Sequence, residues 1–174
     1  MGKNHWKILH PSEKARLDSL LDQWLEARIH EDAIIYGQEE EKSPELDSIL
    51  LTINPSPEIE VEDFVAKVAA FAKRKTVSPC LWAYSFEQRS TNARFHGHHV
   101  HMLLQDVKPS SVKAWALSTF KNMIGNDKHI NVRKVNYERG FKYLEGYKCG
   151  KHKPCYAMDI KFRIKYNLED IYIL

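Results

Sequence analysis

The segment Phe95-His96-Gly97-His98-His99-Val100-His101-Met102-Leu103-Leu104-Gln105 holds four of the chain's nine histidines. Its spacing predicts a strand, in which successive side chains alternate between faces. Val100, Met102 and Leu104 then share a face suited to a hydrophobic core, and His99, His101, Leu103 and Gln105 share the other. Two imidazoles separated by one buried aliphatic residue, on a rigid strand, form a two-point clamp for a metal ion. The pair His96 and His98 flanks Gly97, which anchors neither to a core, so His99 and His101 make the better clamp. The plain alternative is a histidine-rich exposed strand that binds nothing.

A hard divalent cation also wants an oxygen ligand. Glu87 ends the preceding predicted strand, Leu81 to Gln88, and a polar hairpin from Arg89 to Arg94 joins it to the histidines. In such a hairpin the carboxylate comes alongside the imidazoles. Asp106 lies beyond the far end of the clamp and is the weaker substitute. Two histidines and one carboxylate leave coordination positions open for water and substrate, as catalysis requires. A competing pattern, Cys149-x-x-His152-x-x-Cys155, has zinc-compatible spacing but no evident fourth ligand.

Outward from this core, the chain reads as an α+β domain. Ser48 to Asn54 (Ser-Ile-Leu-Leu-Thr-Ile-Asn) is a buried strand stopped by Pro55 and Pro57. Val61 to Lys75 carries Phe64, Val65, Val68, Ala69 and Phe71 at helical spacing. A second helix, capped by Ser110 or Ser111, runs to Gly125, and His129 to Val135 alternates as a strand. A helix from about Asn136 to Lys148 precedes a strand-like stretch, Tyr156 to Tyr166. The order β-α-β-β-α-β predicts a ferredoxin-like antiparallel sheet with helices packed on one face. Residues 1–47 form an N-terminal helical arm: Leu17, Leu20, Leu21, Trp24 and Leu25 make an amphipathic helix after Ser12, and an acidic linker spans 37–44. Residues 48–174 form the main domain.

The 174 residues, 43% hydrophobic, suffice for one domain with a real core. No apolar run approaches the length of a membrane span, and three cysteines without an apolar leader suit a reducing, intracellular compartment. The net charge of +3 hides an asymmetry: residues 1–47 carry 6 basic against 11 acidic residues, and 121–165 carry 12 against 4. A basic patch around a metal clamp suits a polyanion such as nucleic acid.

The His99-Val100-His101 strand resembles the His-hydrophobe-His motif of the HUH endonucleases, which include the rolling-circle replication initiators (Rep proteins) of small circular single-stranded DNA viruses and plasmids. Leu50-Leu51-Thr52-Ile53-Asn54-Pro55 is similar to the first Rep motif, which helps recognise DNA, and it stands one helix and one hairpin before the histidines. The resemblance implies an HUH fold and a metal, Mn²⁺ or Mg²⁺, held by Glu87, His99 and His101. It also implies a tyrosine nucleophile on the helix after the fourth strand. Tyr143 sits about where the Rep nucleophile falls; Tyr147, four residues on, has Lys151 one turn away. Two tyrosines four apart also resemble the two-tyrosine HUH enzymes.

The family's third motif places lysine three residues after its tyrosine. Here Gly146 and Gly150 occupy those places, and Lys148 and Lys151 are the candidate assisting lysines. The activity implied is nicking and rejoining of single-stranded DNA at an origin stem-loop through a 5′-phosphotyrosine. It would act in the host nucleus for a eukaryotic virus and in the cytoplasm otherwise. Trp82 and Tyr84 are candidate base-stacking platforms. No GxxxxGK[ST] loop is present, so no helicase activity is expected from this chain. The alternatives are a single-tyrosine HUH transposase, a mobilisation relaxase (whose nucleophile normally precedes its histidines), and a noncatalytic nucleic-acid-binding ferredoxin-like domain.

Overall fold

A computed structural model describes residues 47–89, 97–148 and 151–174, with Ser19 and Gln23 as isolated positions. The predicted arm helix, the acidic linker, most of the polar hairpin, His96 and Cys149 lie outside the described residues. The rest belongs to the compact unit Glu40–Leu174.

Seven strands and four α-helices are described. The strands are β1 (Ser48–Ile53), β2 (Leu81–Arg89), β3 (Gly97–Gln105), β4 (Ile130–Val135), β5 (Tyr147–Lys148), β6 (Lys151–His152) and β7 (Tyr172–Ile173). The helices are α1 (Val61–Ala72), α2 (Pro109–Phe120), α3 (Tyr137–Leu144) and α4 (Tyr156–Lys165). A five-stranded sheet runs β4-β1-β3-β2-β7, antiparallel at every pairing, and β5 and β6 form a separate two-stranded hairpin. β3 separates β1 from β2, and β1 separates β3 from β4, so two β-α-β crossovers interleave.

Alternation along the strands divides the core. Ile49, Leu51 and Ile53 of β1 and Val100, Met102 and Leu104 of β3 pack with Phe64, Val68 and Phe71 of α1 and Val112, Ala116 and Phe120 of α2. On the opposite face Leu50, Leu103 and Ala83 pack with Leu144 of α3. Helices therefore cover both faces, where the sequence suggests one. The reason is a second apolar set, Leu50 and Leu103, which needs its own cover. α1 buries Phe64, Val68, Phe71 and Ala72 at i, i+4, i+7 and i+8, with Glu62 and Asp63 opposing the dipole in its first turn. α2 starts on Pro109, preorganised for a first helical position, so Ser110 and Ser111 lie inside the helix and cap nothing.

One helix boundary and one element type depart from expectation. The Asn136 side chain caps α3 by accepting from Arg139 N–H at 3.2 Å, but the helix stops at Leu144 and the chain turns at Gly146 with φ +97°. Tyr147 and Lys148 consequently leave the helix for β5. Tyr156 to Lys165 is a helix and no strand, although Met158, Ile160, Phe162 and Ile164 alternate with polar residues. Of its five buried residues, Tyr156, Asp159, Ile160 and Arg163 recur at helical spacing with Phe162 beside them, and Met158 and Ile164 of the alternating set are left exposed. What favours the helix is the outer edge of β2. Asp159 Oδ1 accepts from Gln88 N–H at 2.7 Å, and Arg163 Nη1 donates to the Phe86 carbonyl at 3.1 Å. The helix thus satisfies edge backbone groups that β7 leaves uncovered. Among the described residues no helix is long and apolar enough to cross a membrane.

Candidate metal centre and adjoining cleft

Strand register assembles the site. Glu87 on β2 pairs directly with His99 on β3, and His101 lies between Ser85 on β2 and Thr52 on β1. Thr52, Glu87, His99 and His101 therefore share the face that α3 covers. Glu87 Oε2 lies 3.5 Å from His99 Nε2 and 3.4 Å from His101 Nε2, and the two Nε2 atoms are 3.1 Å apart. Three donors bound at about 2.1 Å to one small cation stand about 3.0 Å apart in octahedral geometry and about 3.4 Å apart in tetrahedral geometry. The donor set fits such an ion, and Glu87, His99 and His101 are positioned to hold one.

All three side chains are buried, at 2%, 4% and 3% exposure. Burial alone would push the Glu87 carboxyl up, but His101, His99 and Lys153 outweigh it and hold the group well below the usual carboxylate range. Thr52 Oγ1 lies 2.8 Å from His101 Nδ1. With Nδ1–H donating to that hydroxyl, His101 turns the Nε2 lone pair toward Glu87 and His99. His98 points the other way, between Phe64 and Phe162, so a core does anchor it despite Gly97. Burial and the neighbouring His99 lower its pKa to about 4, Glu62 acting in the opposite sense.

α3 delivers Tyr143 to this site. Its ring stands edge-on to His101 at 4.9 Å between centroids, and the Arg133 guanidinium lies 5.0 Å over it. Gly140 permits the approach: a Cβ there would come within 2.5 Å of Leu103 Cδ1 on β3. A cleft of about 280 Å³ opens onto the site, with Thr52, His101 and Tyr143 in its lining and Lys128 and Arg133 as its cations. Tyr147 stacks instead on His152, 4.2 Å away, and Lys148 and Lys151 are exposed on the β5–β6 hairpin.

Another lysine reaches the site. Lys153 is 6% exposed; its ammonium donates to Glu87 Oε1 and lies 3.5 Å from the centroid of the Tyr143 ring. Burial lowers its pKa, and Glu87 partly restores it. No periodicity singles it out, since Lys148, Lys151 and Lys153 are equivalent in a lysine-rich stretch.

The cysteine pattern does not assemble in the described part: the His152 ring stacks on Tyr156 at 3.9 Å, and Cys155 lies beside Asp159. Cys155, Asp159 and Glu87 form a second possible ligand set that shares Glu87. Burial and Glu87 raise Asp159 to about 7, and burial and Asp159 raise the Cys155 thiol to about 12. Trp82 is 46% exposed, edge-on to Tyr137, and remains accessible to a ligand. Tyr84 is buried and stacked on Tyr172, which removes it as a platform. The chain matches no family model, no curated protein and no solved structure.

Proposed function

We propose that this chain is an HUH-type, metal-dependent nickase and strand transferase for single-stranded DNA, of the kind that initiates rolling-circle replication at an origin stem-loop. The observation that carries the reading is Tyr143 against His101, at the mouth of a basic cleft beside two histidines and a glutamate. The strand order β4-β1-β3-β2 supports the ferredoxin-like HUH form of the fold.

In this reading the cleft binds the DNA backbone, with Lys128 and Arg133 facing phosphates. Glu87, His99 and His101 would hold a divalent cation, which polarises the scissile phosphate and offsets charge developing on it. A carboxylate and open water positions suit Mn²⁺ and Mg²⁺, and the two imidazoles tilt the choice toward Mn²⁺. Tyr143 Oη attacks phosphorus as the bond from phosphorus to the 3′-oxygen breaks. The phenolic proton passes to water in the cleft, and the departing 3′-oxygen takes one to become a free 3′-hydroxyl. The phosphotyrosyl link conserves the phosphodiester bond energy, so a later 3′-hydroxyl can reverse the step.

Incubation of labelled single-stranded oligonucleotides with the protein and Mn²⁺ tests this. The expected result is an adduct that survives denaturing electrophoresis, is lost on chelation and in Tyr143→Phe, and maps to Tyr143 by peptide analysis. An adduct that persists in Tyr143→Phe and disappears in Tyr147→Phe overturns the nucleophile assignment. Tight DNA binding by the wild type without any adduct would falsify the enzymatic reading and leave a binding domain.

A further inference from the structure

Lys153 is a buried charge to which the proposed reaction gives no part. Its backbone is fixed on both sides: its N–H donates to the Gly146 carbonyl at 2.7 Å, and its own carbonyl accepts from Tyr156 N–H at 2.9 Å. The side chain then runs inward, so that the ammonium sits between the Glu87 carboxylate and the face of the Tyr143 ring. The two Glu87 oxygens are divided, Oε1 toward Lys153 and Oε2 toward the histidines. A carboxylate this deeply buried is costly without a cation beside it, and among the described residues the Lys153 ammonium donates to it, opposite the two histidines.

We propose that Lys153 is a positioning residue: it serves as the resident counter-cation of Glu87, and a divalent ion takes over that role on binding and leaves the ammonium to Tyr143 and the incoming phosphate. The inference rests on the metal reading of Glu87, His99 and His101. It follows from charge. Two cations sharing one carboxylate repel each other, so Lys153 lowers the affinity of the empty site for a divalent ion. Once Glu87 is neutralised by that ion, the ammonium is left between the nearby Asp159 carboxylate and the face of the Tyr143 ring, and an incoming phosphate supplies a new partner on the Tyr143 side. Metal occupancy and readiness of the nucleophile are coupled through one side chain.

The test uses the full chain and Mn²⁺ alone, followed by electron paramagnetic resonance of the free ion and by thermal unfolding. Lys153→Met should bind Mn²⁺ about tenfold more tightly than the wild type or better, because a repelling charge is gone. It should be less stable without metal and regain most of its stability when Mn²⁺ is added. Lys153→Gln keeps a hydrogen bond to Glu87 without the charge and should behave alike, which covers the case of a poorly folded methionine variant. Lys153→Arg should keep wild-type Mn²⁺ affinity. Adduct formation at saturating Mn²⁺ should fall in Met and Gln and be retained in Arg. A loss of stability in Met and Gln that Mn²⁺ does not repair, with unchanged or weaker Mn²⁺ binding, overturns the proposal. If the wild type binds no Mn²⁺, or His99→Ala/His101→Ala binds it as well as the wild type, the metal reading fails first and the proposal falls with it.

Discussion

Thr52 and His98 show how single polar residues act on the two faces of the sheet, one at the site and one in the core. Thr52→Val removes the Oγ1 that partners His101 Nδ1 and keeps the buried volume nearly unchanged. Mn²⁺ affinity should fall about 10- to 100-fold, as partners of metal-ligating histidines generally require, with little change in thermal stability. A titration showing wild-type affinity would deny Thr52 its orienting role. His98 contributes through pH. Its folded pKa of about 4 lies below the ordinary histidine value near 6.5. Between these two the unfolded chain binds more protons than the folded one. The stability from neutral His98 is therefore complete above about pH 6.5 and lost as pH falls toward 4, by up to roughly 3 kcal/mol. His98→Phe keeps a ring between Phe64 and Phe162 and should flatten that part of the acid limb in denaturant titrations. An unchanged slope would assign the acid sensitivity elsewhere.

Helix α3 is the element that makes a metal clamp into a candidate active site. It lies close enough to β3 because position 140 has no side chain. Gly140→Val would drive a branched side chain into Leu103 and Val135, at an overpacking cost of about 1–3 kcal/mol. The strain is relieved by lifting α3, which moves Tyr143 away from His101. Adduct formation should fall at least about tenfold, since sub-ångström placement matters in such attacks, while Mn²⁺ binding at Glu87, His99 and His101 is kept. Parallel loss of Mn²⁺ binding would mean that α3 also holds the ligands in place. The C-terminal boundary of α3 matters equally. Gly146 ends it before Tyr147, so two tyrosines that would share a helical stripe stand in different surroundings, one beside His101 and the other on His152.

Lys128 and Arg133 are the cations lining the cleft, and under the proposed reading electrostatics should govern affinity for single strands. Log affinity should fall linearly with log salt concentration. Lys128→Ala and Arg133→Ala should each weaken binding for all sequences alike and make that slope shallower by about 0.7 for every phosphate no longer neutralised. A variant that changes sequence preference with the slope intact would identify a base-reading side chain instead.

The strand pattern of the histidine segment was legible because period-two alternation shows directly which residues face a core: Val100, Met102 and Leu104 do, and His99 and His101 turn the other way. Glu87 was legible from hairpin geometry, since antiparallel pairing sets it opposite His99. Tyr143 was legible as a candidate, but its separation from Tyr147 depends on where α3 ends. That end is set by Gly146 and by Tyr156, whose ring occupies the space beside it. The stretch 156–165 misleads in sequence because its alternation is real. The β2 edge decides for a helix, through hydrogen bonds to Gln88 and Phe86, residues far earlier in the chain. Lys153 is the clearest case of what sequence leaves open. Lys148, Lys151 and Lys153 are chemically alike, and only tertiary packing buries one of them against Glu87 and Tyr143 and leaves the other two in water. Local periodicity follows from one short segment's own pattern of burial; the choice of a cation depends on contacts between segments far apart in sequence, which no single stretch encodes.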